Sequence, residues 1–243
     1  MLRAKDIAKM IDHSLLRPEL TVADVTAGCE VAKKYDVASV CVKPADVLLA
    51  GEVLKGSDVM NTTVIGFPHG SSKTETKVFE TEQAIKDGAV EVDMVLNYGR
   101  LRSGDIAYVE QDVKAVVDAA HKHNVVVKVI FENCFLNDEE KIAACQLCER
   151  AGADFVKTSS GFGTGGATIE DLKLMRANTA PHIQVKAAGG VRTLDNALAV
   201  RSVGTTRFGA TATAAIMDEA IAREEAGTLA DIPEGTGSLG TTY

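Results

Sequence analysis

Tryptophan is absent from this 243-residue chain, and only seven Phe and four Tyr supply aromatic rings. A core so poor in rings must be largely aliphatic, which suits parallel strands buried on both faces. No run of 18 apolar residues occurs, and the opening MLRAKDIAKMIDHS lacks the apolar centre of a secretion signal. A cytosolic protein with no membrane partner is expected. Basic clusters are missing as well, and the net charge is −8, so nucleic acid is not an expected partner. Five irregularly spaced cysteines make a disulfide framework improbable. Cys145 and Cys148 do form a CxxC, but inside the helical run EEKIAACQLCERAG, where a spacing of three puts both thiols on one apolar face. They are read as core residues. Histidines do not cluster at ligand spacing either: His121, His123 and His182 fall at element ends. His69 in FPHG is the one placed to line a pocket, without partners. No metal and no cofactor are expected.

What the chain does contain is a repeating unit. Eight strand-like runs, MIDHSL, VASVCVKP, TTVIGFP, VEVDMVLN, VVVKVIFE, DFVKTSS, IQVKAAGG and TRFGAT, alternate with amphipathic helical stretches. Helix ends are marked by capping-box spacing at Ser72 with Glu75 and at Thr168 with Asp171, and by Gly88 and Gly152. A strand–helix unit of about 25–35 residues, repeated eight times, predicts an α/β fold of one domain: a (β/α)₈ TIM barrel over residues 1–230. An open doubly wound sheet is the alternative, but GxGxxG does not follow the first strand. Residues 231–243, rich in Gly and Thr, are read as a mobile C-terminal tail.

In such barrels the chemistry lies at the C-terminal ends of the strands. Three lysines interrupt apolar strands there, Lys128, Lys157 and Lys186, at equal intervals of 29 residues. Equal spacing in successive strands predicts matching register and neighbouring ammonium groups. A single strand lysine is usually a snorkelling or paired residue. Three together raise the cost of charge burial enough to point to a perturbed, useful pKa. A free lysine titrates near 10.4, and lowering this to about 7 destabilises the ammonium form by roughly 5 kcal/mol. A neighbouring cation and burial both act in that direction and free an amine to form an imine with a carbonyl. Lys186 is placed to perturb Lys157. Asp93 and Asp12, also within strands, are read both as ion-pair partners of these lysines and as proton carriers. Gly189 and Gly190 after the seventh strand, with Gly209, Ala210 and Thr211 after the eighth, occupy the usual phosphate site of such barrels.

The segments ASVCVKP, TVIGFPHG, EVDMVLNYG, DFVKTSSGF and IQVKAAGGVR, in this order along nearly the whole chain, resemble the 2-deoxyribose-5-phosphate aldolase family. That resemblance implies a class I aldolase that cleaves 2-deoxy-D-ribose 5-phosphate reversibly to acetaldehyde and D-glyceraldehyde 3-phosphate, in deoxyribonucleoside catabolism. It implies Lys157 as the imine lysine, Lys186 as its perturber and Asp93 in proton transfer. Asp12 and Lys128 belong to the polar network beneath. Cys41 matches a pocket cysteine reactive toward aldehydes, Ser160 and Gly161 follow the imine lysine in the pocket, and Tyr243 matches a terminal tyrosine that assists proton transfer. Small phosphorylated sugars and aldehydes are then the partners, with a homodimer or homotetramer left open. Two departures concern phosphate binding: Ala212 stands where relatives have a second serine, and Ser160 where they have threonine. Other imine-forming barrel aldolases acting on ketone donors, a non-catalytic sugar-phosphate binder and a thiol redox protein are the competing readings.

Overall fold

The computed structural model describes residues 2–239. All eight expected strands form: β1 Ile11–Leu15, β2 Ser39–Val42, β3 Met60–Ile65, β4 Glu91–Val95, β5 Val126–Ile130, β6 Phe155–Lys157, β7 Gln184–Ala188 and β8 Arg207–Ala210. Each pairs in parallel with its neighbours in sequence order, and β8 closes on β1. The sheet is therefore a closed (β/α)₈ barrel. Its helices are α1 Ala4–Ala8, α2 Val22–Lys34, α3 Val47–Leu54, α4 Thr74–Lys86, α5 Tyr98–Arg102, α6 Ile106–His121, α7 Asp138–Ala151, α8 Ile169–Ala177, α9 Leu194–Ser202 and α10 Thr213–Glu225. None is long and apolar enough to cross a membrane.

Local chemistry sets several helix starts. Thr21, Asn137, Thr168 and Thr193 each accept a hydrogen bond from the backbone N–H three residues on. The expected cap at Ser72 does not form. Helix α4 begins two residues later, after Lys73, with no side-chain cap. Gly152 ends α7 in the left-handed region, φ 81°, where a side chain would be strained.

Between sheet and helices lies one large aliphatic core, built from residues such as Val92, Val127, Val156 and Val185 facing Val113, Leu147 and Leu172. Cys145 and Cys148 are fully buried in it, and burial pushes the Cys145 thiol up to about 12. They are packing residues. Residues 226–239 form neither helix nor strand but run back over α9. Asp231 pairs with Arg201 at 2.7 Å, and the Ser238 carbonyl accepts from Asn196 at 2.8 Å.

Inside the barrel the usual aliphatic filling is replaced by charge. Arg207 on β8 reaches Glu91 on β4 across the interior, with Asp12, Asp93, Lys128, Lys157 and Lys186 between them.

Candidate active site

Strand register explains how these groups meet. Lys157 lies opposite Lys186, so these two ammonium groups share a layer near the strand ends. Lys128 lies opposite Phe155, two residues before Lys157, and therefore sits one layer deeper than equal spacing suggested. Sequence intervals count loop and helix residues as well as strand positions, and they do not fix the stagger of a barrel.

All three lysines nevertheless converge on one carboxylate. Asp93 Oδ2 accepts from Lys157 Nζ and Lys186 Nζ, each at 2.7 Å, while Oδ1 accepts from Lys128 Nζ at 2.9 Å. Lys186 also pairs with Asp12. Beneath them Lys128 donates to Glu91 at 2.6 Å, and Arg207 holds Glu91 through two N–H groups at 3.2 and 2.9 Å. Asp12 accepts from Arg207 Nε at 2.8 Å and from the Ser39 hydroxyl at 2.7 Å. Every member is buried; Lys157 is 3% exposed and Asp93 not at all.

Burial alone would raise Asp93, but the charges of Lys128, Lys157 and Lys186 hold its carboxyl well below the usual range. Lys128 and Lys186 are raised despite burial, because the carboxylates around them outweigh it. Lys157 goes the other way. Burial pulls its amine below the ordinary value; Asp93 opposes this, and the Lys186 charge adds to it. The expected perturber thus acts, but desolvation is the larger cause.

Lys157 and Lys186 form the floor of a cavity of about 450 Å³ at the C-terminal face, together with Asp12 and Cys41. Asp93 and Lys128 do not line it. They lie behind the two lysines, both of which donate to Asp93. The Cys41 thiol is pushed by burial up to about 12 and stays protonated at neutral pH. Gly189 and Gly190, both with positive φ, form one wall with Gly209, Ala210 and Thr211.

Ser160 and Gly161 form part of another wall, but the Ser160 hydroxyl is already engaged. It donates to buried Glu132 and accepts from the Phe162 N–H at 3.0 Å. Ala212 does not line the cavity; it is the N-cap of α10. His69 is exposed and away from this cavity. Tyr243 lies outside the described residues.

Several residues escaped the sequence reading. Glu91 and Arg207 complete the buried network, and their signal was available: Glu91 has the same strand parity as Asp93, and Arg207 opens an apolar strand. Arg17 and Arg192 stand at the cavity rim and bring positive charge beside the glycine wall. Phe162 packs edge-on against Phe67, ring centres 5.3 Å apart, on another part of the rim. Among the described residues no three His, Cys, Asp or Glu side chains gather as a metal site; the network carboxylates face lysine and arginine instead.

A buried lysine, its amine pulled below the ordinary value by burial, thus lies beneath a glycine-walled cavity. The model of the DeoC/LacD family aldolases matches residues 6–218. The chain belongs to the DeoC/LacD aldolase family. A deoxyribose-phosphate aldolase of Clostridium perfringens is 55% identical over 88% of this chain and 95% of its own length. One from Geobacillus is 54% identical, with the same coverage. The tetrameric structure of the Aeropyrum pernix deoxyribose phosphate aldolase superposes with a TM-score of 0.83 at 28% identity, over 89% of this chain and 91% of that one. The chain covers 91–95% of the length of these relatives.

Proposed function

We propose that this family member is a deoxyribose-phosphate aldolase working through an imine on Lys157. The observation that carries the reading is the Lys157 amine on the cavity floor, lowered by burial and sharing Asp93 with Lys186. In cleavage, the free amine adds to the C1 aldehyde of open-chain 2-deoxy-D-ribose 5-phosphate, and loss of water gives a protonated imine. The C3 hydroxyl then gives up its proton, and the C2–C3 electron pair moves into the imine to leave an enamine. This is the bond between the α and β carbons; an imine at C1 has no leverage on C3–C4. D-glyceraldehyde 3-phosphate departs, the enamine takes a proton at C2, and hydrolysis returns Lys157 and acetaldehyde.

Lys186 is the proton carrier in contact with the substrate, with Asp93 behind it and Asp12 beside it on the cavity floor as reservoirs. The phosphate is assigned to the Gly189–Gly190 and Gly209–Thr211 loops, where backbone N–H groups and the rim arginines meet an anion. Deoxyribonucleoside catabolism is the context this substrate implies, and a homodimer or homotetramer is the assembly we assign.

Borohydride reduction in the presence of acetaldehyde tests the mechanism. An ethyl group should appear on Lys157 with loss of activity. Labelling at Lys186 or Lys128 instead would reassign the roles, and no labelling at all would defeat the imine.

A further inference from the structure

The interior network is not balanced. Three carboxylates, Asp12, Glu91 and Asp93, face four cationic side chains, Lys128, Lys157, Lys186 and Arg207. In a low-dielectric interior an excess positive charge is costly, and the cheapest relief is loss of one proton. Which group gives it up follows from its partners. Arg207 cannot, because a guanidinium stays protonated in proteins. Lys128 has three carboxylates within 3.7 Å, Glu91 at 2.6, Asp93 at 2.9 and Asp12 at 3.7 Å. Lys186 has two, Asp12 and Asp93. Among the described residues Lys157 has only Asp93, which it shares with both other lysines. By this comparison Lys157 is the least compensated of these cations.

From this charge balance we infer that Arg207 is a positioning residue for the reaction: as the irremovable fourth cation, it forces the excess charge onto Lys157 without touching the substrate. It does not line the cavity. It acts through Asp12 and Glu91, whose oxygens it occupies and which would otherwise serve Lys186 and Lys128 alone. The groups that face it are Asp12 on β1, Glu91 on β4, Lys128 on β5, Lys186 on β7 and the Phe155 ring on β6, 5.9 Å from the guanidinium. Those that face Lys157 are Asp93, Lys186 and the protonated Cys41 thiol. The lowered Lys157 value agrees in direction. The importance of this discharge for turnover rests on the imine reading; the discharge itself does not.

The test therefore reads the titration of Lys157 independently of aldehyde chemistry. Competitive labelling of the intact enzyme with trace acetic anhydride across a pH series, with peptide mass spectrometry at Lys157, gives the fraction of free amine. Arg207→Met removes the excess cation, and the Lys157 midpoint should move alkaline by about one pH unit, a roughly tenfold loss of free amine below it. Arg207→Lys keeps the charge and should hold the midpoint near wild type. Glu91→Gln enlarges the excess and should move it to lower pH. The double variant Arg207→Met with Glu91→Gln restores the excess to one and should return the midpoint.

If Arg207→Met does not fold, the acid shift of Glu91→Gln still decides, and an unmoved midpoint there overturns the inference. A low wild-type midpoint that no variant moves would defeat the role of Arg207 alone. A wild-type Lys157 titrating like a free lysine would defeat the imine reading as well.

Discussion

Two buried lysines in this molecule have opposite surroundings. Lys77 on α4 lies outside the barrel, wholly buried, and donates to Asp112 on α6 at 2.5 Å and to the Val95 carbonyl at 2.9 Å. Asp112 in turn accepts from Thr74 at 2.8 Å. The ion pair is direct, no other lysine or arginine among the described residues bridges to Asp112, Glu80 acts on Lys77 only from farther off, and neither partner lines the cavity. Lys157 shares its single carboxylate with two other lysines and faces 450 Å³ of cavity. Burial pulls both amines down. Desolvation alone, then, does not mark a nucleophile. An uncontested counterion makes Lys77 a structural tie, whereas the lysine proposed to form the imine has a contested counterion and an open face.

The sharpest break in this comparison comes from removing each lysine. Lys157→Met should leave a folded barrel whose kcat/KM falls on the order of 10⁴-fold or more, as loss of a covalent nucleophile does elsewhere. Steady-state rates alongside circular dichroism check this, and substantial residual turnover would move the nucleophile to another residue. Lys77→Met should do the reverse. Asp112 keeps only Thr74 as a partner, and an uncompensated buried carboxylate costs about 3–5 kcal/mol. For a chain of this size that lowers Tm by roughly 10 °C while kcat per folded molecule is kept. A large loss of kcat with Tm intact would mean that the tie also serves the site.

How much of this contrast was legible in the sequence depends on which physical rule each residue obeys. The eight strands were, because the apolar runs are short and regular and the helices between them amphipathic. Lys157, Lys186 and Asp93 were, because a charge inside an apolar strand stands out. The layer of Lys128 was not, since barrel stagger is set by packing and not by sequence interval. Glu91 and Arg207 were missed because Glu91 opens β4 and Arg207 opens β8, where charge passes for a surface end. Lys77 was hidden in TETKVFETEQ, a helix whose polar residues read as a solvated face until α6 is packed against it. Glu132 holds a left-handed backbone, φ 59°, a conformation uncommon outside glycine.

A middle-sized effect sharpens the contested side. Lys186→Leu takes one cation from Asp93, leaving Lys157 a larger share of that carboxylate. Its amine then titrates higher, and the rising limb of the kcat/KM–pH profile moves alkaline by roughly one to two pH units. Each unit costs tenfold in free amine, so activity at neutral pH falls about 10- to 100-fold from this cause. Lys186→Arg keeps the charge and should hold the limb in place, but turnover falls because arginine cannot pass a proton. A loss of kcat in Lys186→Leu with the profile unmoved would make Lys186 a proton carrier only.

The smallest expected effect asks whether a new polar group at the cavity edge becomes private or shared. Ala212 is the N-cap of α10 and makes no side-chain cap hydrogen bond, while Thr211 just before it lines the cavity. In Ala212→Ser the new hydroxyl oxygen lies nearest the unpaired N–H groups of the first turn of α10. It should accept from one of them, as Thr193 does from Asn196 at 3.2 Å. Capping of this kind contributes about 1 kcal/mol, so Tm should rise by roughly 2–4 °C. The hydroxyl is then engaged as Asp112 is, and KM for the phosphorylated sugar should change less than about twofold, short of what a full neutral hydrogen bond to the ligand would give. A several-fold lower KM with no gain in Tm would show the hydroxyl turned to the ligand, and would place position 212 with Thr211 in the anion site.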